Sequence, residues 1–259
     1  MSLLRVEHLH RSFGGLAALS DVTFQVATGR IKAVIGPNGA GKTTLFNTIS
    51  GLIRPSAGQI HFDGTAIAGA APCAIARLGL ARTFQNLNLF GNMSVIENVM
   101  VGRHCRSRAG LLGACLRLPA QRREERAIRA AALEHLDAVG LADRAHDPVG
   151  DLSFGQRRMV ELARALASEP RLILLDEPAS GLNPHETDDL AGRIRALRDG
   201  GLTVLLVEHD MSLVMDIADD ILVLHYGRPI AEGPPQAVRN HPEVLAVYLG
   251  GGADDAAGA

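Results

Sequence analysis

The spacing of apolar residues changes period several times along the chain. In Leu4-Arg5-Val6-Glu7-His8-Leu9 and Val22-Thr23-Phe24-Gln25-Val26 apolar and polar positions alternate, which predicts strands with one wet face. Phe13-Gly14-Gly15 sits in the turn between them. Three later runs, Ile31–Ile35, Leu172–Leu175 and Thr203–Val207, are short, mostly apolar and bounded by turn signals. Such runs suit strands buried on both faces of a parallel sheet.

Helical periods separate these runs. Asn183 can cap a helix in which Pro184 suits the first position and Glu186 closes a capping box. Leu190, Ile194 and Leu197 then form one apolar stripe, and Gly200-Gly201 ends it. Beyond Val207 the pattern predicts a helix from about Met211 to Ala218, a strand Ile221–Leu224, a turn at Tyr226-Gly227-Arg228 and a returning strand near Ile230. Strand–helix alternation of this kind argues for a doubly wound parallel α/β sheet.

The middle of the chain, about Asn86 to Ala167, lacks strand runs. Ser94-Val95-Ile96-Glu97 is a capping-box start, and Ile128, Ala132, Leu136 and Val139 recur at helical spacing before Gly140. This predicts a helical subdomain, 86–167, inserted into a core made of 1–85 and 168–249, the whole being one domain. Residues 250–259, small and polar, read as a disordered tail. Eight arginines fall between Arg103 and Arg129, partly offset by Glu124 and Glu125. They make either a solvated face or a surface suited to anionic lipid headgroups.

Composition narrows the class. The 259 residues, 47% hydrophobic, can build one large α/β domain. No run approaches the ~18 apolar residues of a membrane span, and Met1-Ser2-Leu3-Leu4-Arg5-Val6-Glu7 lacks a signal-peptide layout, so a soluble, cytoplasmic chain is expected. A net charge of −2 supplies no basic field for nucleic acid. Cys73, Cys105 and Cys115 show no metal-ligand spacing and read as buried or incidental thiols in a reducing compartment.

The chemistry starts at Gly36-Pro37-Asn38-Gly39-Ala40-Gly41-Lys42-Thr43-Thr44, which joins the strand Ile31–Ile35 to the helical Leu45-Phe46-Asn47-Thr48-Ile49. This is G-x-x-x-x-G-K-T between strand and helix, the context of a phosphate loop. Its glycines let the backbone wrap an anion, Lys42 adds a point charge and the Thr43 hydroxyl can ligate Mg²⁺. Leu172–Leu175 ends in Asp176 and Glu177, at the sheet edge where ligands bind. Asp176 is placed to hold Mg²⁺, and Glu177 to orient or deprotonate a water. In Leu152-Ser153-Phe154-Gly155-Gln156, Ser153 and Gln156 form a capping box, and that is all the pattern demands structurally. A capped helix start is also an anion site. Phe13 reads either as a stacking platform for adenine or as a core residue, and spacing alone favours the core.

The order of these motifs resembles that of ATP-binding cassette ATPases over nearly the whole chain. Gln85, in Arg82-Thr83-Phe84-Gln85, stands where that family has its Q-loop. Leu152–Gln156 is similar to its signature motif, Ser180-Gly181-Leu182-Asn183 to its D-loop, and His209 to its switch histidine. Phe154 and Asn183 depart from the usual glycine and aspartate. Ala81–Asn86, Leu89–Val95, Glu97–Gly102, Pro178–Pro184, Glu208–Met211 and Val247-Tyr248-Leu249-Gly250 look like the high-affinity branched-chain amino acid importer ATPases.

The resemblance implies an α/β fold: a P-loop NTPase (RecA-like) ABC ATPase core with an antiparallel β subdomain and the inserted helical subdomain. It implies ATP and Mg²⁺ as ligands. Phe13 would stack on adenine, and residues Gly36 to Thr44 would hold the phosphates. Thr43, Gln85 and Asp176 would serve Mg²⁺, with Glu177 as base and His209 at the γ-phosphate. Ser153, Gly155 and Gln156 would meet the nucleotide of a second cassette, a paralogue or a copy of this chain, in a head-to-tail dimer. Two membrane permeases, gripped by the helical subdomain, and an external binding protein would complete an importer on the cytoplasmic face of the membrane. A different cargo (urea, an aromatic acid, lipopolysaccharide), a soluble cassette acting on DNA or ribosomes, and a purely structural nucleotide module are the alternatives. The last two are disfavoured by the single cassette without a coiled-coil insertion and by measurable ATP turnover, respectively, should turnover be found.

Overall fold

The computed structural model describes residues 2–85, 87–103 and 119–250. Its centre is a six-stranded sheet in the order β10-β9-β3-β8-β7-β6. β3 (Ile31–Ile35), β7 (Leu172–Asp176) and β8 (Thr203–Val207) are the three apolar runs, and every residue in them is buried. They pair in parallel, with Val34 opposite Val207 and Val207 opposite Asp176. β6 (Leu80–Arg82) and β9 (Asp220–His225) extend the parallel part, and β10 (Arg228–Gly233) returns antiparallel at one edge. Lys32, a charge inside β3, is buried but bonded to Asp220 and Glu232, which meets the demand that a buried charge be paired.

A second sheet, order β2-β1-β4-β5, is antiparallel. β1 (Ser2–Phe13) and β2 (Leu16–Ala27) form the hairpin that the alternating pattern predicts. β4 (Ala57–Phe62) and β5 (Thr65–Ala66) complete it. Residues of the parallel strands alternate between two cores. Ala33, Ile35, Ile173, Leu175, Val204 and Leu206 face the helical side. Val34, Leu172, Leu174, Leu205 and Val207 face α1 (Lys42–Ile49) and the antiparallel sheet.

The helical side carries α3 (Val95–Gly102), α4 (Pro119–Ala138), α5 (Phe154–Leu166), α6 (Pro184–Asp199) and α7 (Met211–Ile217). The remaining helices are the short α2 (Pro72–Arg77), α8 (Pro235–Arg239) and α9 (Pro242–Gly250). The three capping boxes read from sequence, at Ser94, Ser153 and Asn183, all form, each with both reciprocal bonds. Ala132, Leu136 and Val139 are buried in the same core as Val95 and Val99 of α3. Gly250 ends α9, and the rest of the expected tail lies outside the described residues, as do Cys105, Cys115, and Arg106, Arg108 and Arg117 of the arginine-rich stretch. Among the described residues no helix is long and apolar enough to cross a membrane.

Leu206 is fully buried in the middle of β8. Leu206→Ala is expected to lower unfolding stability by about 2–5 kcal/mol, the range for a large-to-small change in a packed core. A urea titration showing a loss below about 1 kcal/mol would mean that this core is loosely packed.

Candidate active site

The chemistry-bearing residues follow the ends of three adjacent parallel strands. After β3 the chain turns through Gly36, whose φ is +150°. A Cβ there would lie 2.1 Å from the Leu224 carbonyl oxygen, so only glycine fits. Gly41, φ +101°, is similarly pressed by the Ala18 carbonyl at 2.5 Å. It is the N-cap of α1 and offers no side-chain cap, and no acidic residue lies in the first turn. The helix therefore presents uncapped N–H groups and its positive dipole end to the loop, which is an anion site.

Lys42 folds back over that loop, donating to the carbonyls of Gly36 at 2.5 Å and Pro37 at 2.9 Å. Burial lowers the pKa of its ammonium, and Glu177 and Asp176 partly offset this. Pro37 also accepts from the Ala40 amide, and Ala40 accepts from Gly227, which pins the loop to the β9–β10 turn. Asn38 and Gly39 form its tip, and Thr43 and Thr44 lie in the first turn of α1.

β7 delivers Asp176 and Glu177. Glu177 has φ +47°, a left-handed conformation that costs a non-glycine residue energy. It is held there by its amide bond to Val207 at 2.9 Å. Its Oε2 accepts from Gln85 Nε2 at 2.8 Å and lies 4.0 Å from His209 Nδ1. Gln85, Glu177 and His209, which come from three separate segments, thus converge. Gln85 was expected to serve Mg²⁺; its amide nitrogen is on Glu177 instead, which leaves its oxygen as the group for a cation. Phe13 ends β1 with its ring 44% exposed, and the Arg11 guanidinium lies 4.4 Å from the ring centroid.

Mg²⁺ prefers hard oxygen donors and takes one or two carboxylates together with substrate phosphates. Asp176, the Thr43 hydroxyl and the Gln85 amide oxygen are donors of that kind. Among the described residues no group of three or more His, Cys, Asp or Glu is placed to hold a metal ion.

Ser153, Gly155 and Gln156 are elsewhere, at the start of α5. Ser153 Oγ accepts from the Gln156 amide at 3.2 Å, and a Cβ on Gly155 would meet the Glu186 carboxylate at 2.4 Å. Further along α5, Arg158 donates to the Phe84 and Gln85 carbonyls at 3.1 and 2.7 Å, so this helix grips the segment that carries Gln85.

The family described as ABC transporter matches residues 19–180. The chain belongs to the ABC transporter family. Residues 228–254 match a second description, branched-chain amino acid ATP-binding cassette transporter. The cassette is 45% identical over 249 residues to the high-affinity branched-chain amino acid transport ATP-binding protein BraF of Pseudomonas aeruginosa, covering 96% of this chain and 98% of that protein. It is 42% identical, with the same coverage, to the protein of that description named LivG in Escherichia coli K12. Among solved structures it is similar to the ADP conformation of MJ1267, an ATP-binding cassette of an ABC transporter. The TM-score is 0.85 at 32% identity, over 96% of this chain and 99% of that one.

Both departures from the usual ABC motifs have a structural use. The Phe154 ring lies against Gly181, where a Cβ would come within 2.8 Å of it, and so joins the start of α5 to the Ser180–Asn183 loop. Asn183 supplies the N-cap of α6.

Two residues of the cassette site were missed by sequence reasoning. Arg82 bonds Asp176. Glu208 is 0% exposed, and its carboxylate accepts from the amides of Ala179 at 2.8 Å and His209 at 3.1 Å. It thereby ties the loop after Glu177 to the loop of His209. The signal for it was available, since an acid directly after an apolar strand also marks Asp176.

Burial raises the pKa of Glu208, and the amides of Ala179, His209 and Asp210 only partly oppose this. A carboxyl with a raised folded pKa contributes stability below its unfolded pKa and loses it as pH rises through the folded one. Wild-type stability is therefore expected to fall, relative to Glu208→Gln, as pH rises from the ordinary glutamate range. Parallel stability–pH curves for the two proteins would show that Glu208 does not titrate in this way.

Proposed function

We propose that this chain is the ATP-hydrolysing subunit of an importer for branched-chain amino acids, working peripherally on the cytoplasmic face of the membrane. The observation that carries the ATPase reading is the convergence of Lys42, Asp176, Glu177, Gln85 and His209 beyond the ends of the parallel strands. The names of the relatives at 42–45% identity support the cargo.

In this reading Phe13 stacks on adenine, while Lys42 and the amides of the Gly36–Thr44 loop hold the β- and γ-phosphates. Thr43, Gln85 and Asp176 hold Mg²⁺, which when bound neutralises phosphate charge. Glu177 accepts a proton from the attacking water, and the Gln85 amide and the left-handed backbone keep its carboxylate aimed. His209 contacts the γ-phosphate. Ser153 accepts from Gln156 at its own helix start, which supports a second cassette, paralogue or copy, presenting the same helix start head to tail. ATP then favours the closed pair through contacts made in no other state.

A groove of about 460 Å³ between the phosphate-loop lobe and the helical subdomain is lined by Leu52, Phe84, Phe90 and Val101, all exposed. It suits a loop helix of one membrane permease, in an importer with two permeases and an external binding protein delivering the cargo. A permease for a different small solute would use the same groove, so cargo is tested in the cell.

Glu177→Gln is expected to keep ATP affinity, to lose about 10²–10⁴ in turnover and to accumulate an ATP-bound dimer in size-exclusion chromatography. Normal hydrolysis by this variant would refute the assigned base. Lys42→Ala is expected to weaken ATP binding itself, and unchanged affinity would remove Lys42 from the phosphate site. Labelled-leucine uptake should fall in a deletion strain and in one carrying Glu177→Gln, and return with the native gene. Unaltered uptake in both would leave the ATPase assignment and overturn the cargo.

A further inference from the structure

Arg82 ends β6 and its side chain is 7% exposed, like that of Asp176. One terminal nitrogen, Nη2, donates to Asp176 Oδ2 at 2.8 Å. The other, Nη1, donates to Asn47 Oδ1 and Ser50 Oγ, both at 2.8 Å. The rings of Phe84 and Phe46 lie 5.1 and 5.8 Å from the guanidinium carbon. Nε is buried without a partner. A buried ion pair of this kind contributes little net stability, because desolvation offsets the attraction. Its position calls for a different account.

Asn47 is one helical turn beyond Thr43 on α1, and Ser50 is the C-cap of that helix. The guanidinium therefore joins the helix that carries one oxygen donor to the strand that carries another. We infer that Arg82 is a positioning residue for the divalent cation: it fixes Asp176 relative to α1 so that the two protein oxygens stand at the separation Mg²⁺ requires. Mg²⁺ tolerates little departure from octahedral geometry, and a carboxylate held at one oxygen has less freedom to lose when the other binds metal. A planar fork can serve two elements at once. A lysine ammonium, a point charge on a flexible stem, cannot hold both in the same geometry. The inference rests on the reading of Asp176 as a Mg²⁺ ligand.

The test uses the full-length chain and a fluorescent ATP analogue, with affinity measured in EDTA and across a MgCl₂ titration. The proteins are wild type, Arg82→Lys, Arg82→Met, Ser50→Ala and Asp176→Asn. Arg82→Met is expected to raise the half-maximal Mg²⁺ concentration about tenfold, the lower range for losing a partner of a metal ligand, while affinity in EDTA stays within about twofold. Arg82→Lys and Ser50→Ala should shift the midpoint the same way by smaller factors. These two remain informative if Arg82→Met does not fold.

An unchanged or lowered Mg²⁺ midpoint in the Arg82 variants, with the Mg²⁺ response lost in Asp176→Asn, would overturn the positioning role and leave the site reading intact. An equal loss of affinity with and without Mg²⁺ would also overturn it, since that marks a structural role. A full Mg²⁺ response in Asp176→Asn would instead remove Asp176 as the ligand, and the inference with it.

Discussion

The site depends first on the parallel register of β3, β8 and β7. Because Val207 pairs with both Val34 and Asp176, all three strands end at one level. The phosphate loop, the Asp176–Glu177 pair and the Glu208–His209 pair then emerge side by side. A slip of one residue in either pairing would turn one of these groups toward a core. The bond from the Glu177 amide to Val207 fixes the last step of the register and holds Glu177 in its left-handed conformation.

The ends of these strands gather three carboxylates, Asp176, Glu177 and Glu208, of which Asp176 and Glu208 are buried. Each is managed differently. Asp176 has a guanidinium, Glu177 an amide donor and a nearby imidazole, and Glu208 backbone N–H groups alone among its hydrogen-bond donors. Lys42 is spent on the loop carbonyls instead. It stands over the anion site with its charge opposed only by desolvation, which an arriving phosphate would relieve. In the proposed function, the cation that shapes the metal carboxylate is thus separate from the cation that meets the phosphates.

Much of this was legible in the chain. Periodic or mostly apolar runs, and caps with reciprocal partners, gave β1 to β3, β7, β8 and the starts of α3, α5 and α6 correctly, because local chemistry alone decides them. β6 was not legible. Three residues, Leu80-Ala81-Arg82, are too few to show a period, and their strand state comes from pairing with β7. Arg82 was therefore read only as part of a motif. Its role depends on Asn47, Ser50 and Asp176, which no local spacing connects. Ser153 and Gln156 were legible as a cap, but a cap alone does not say what the helix start faces. The contact of Gln85 with Glu177 joins residues 92 positions apart and belongs to the fold.

The alternation of the parallel strands between two cores has an evolutionary consequence. The residues packed around α1 and the antiparallel sheet share none of their buried side chains with those packed around α3 to α7. One lobe can drift in composition without disturbing the packing beneath the Gly36–Thr44 loop. The parallel strands between them answer to both sides, and there a substitution must satisfy one core while keeping the backbone register that serves the other.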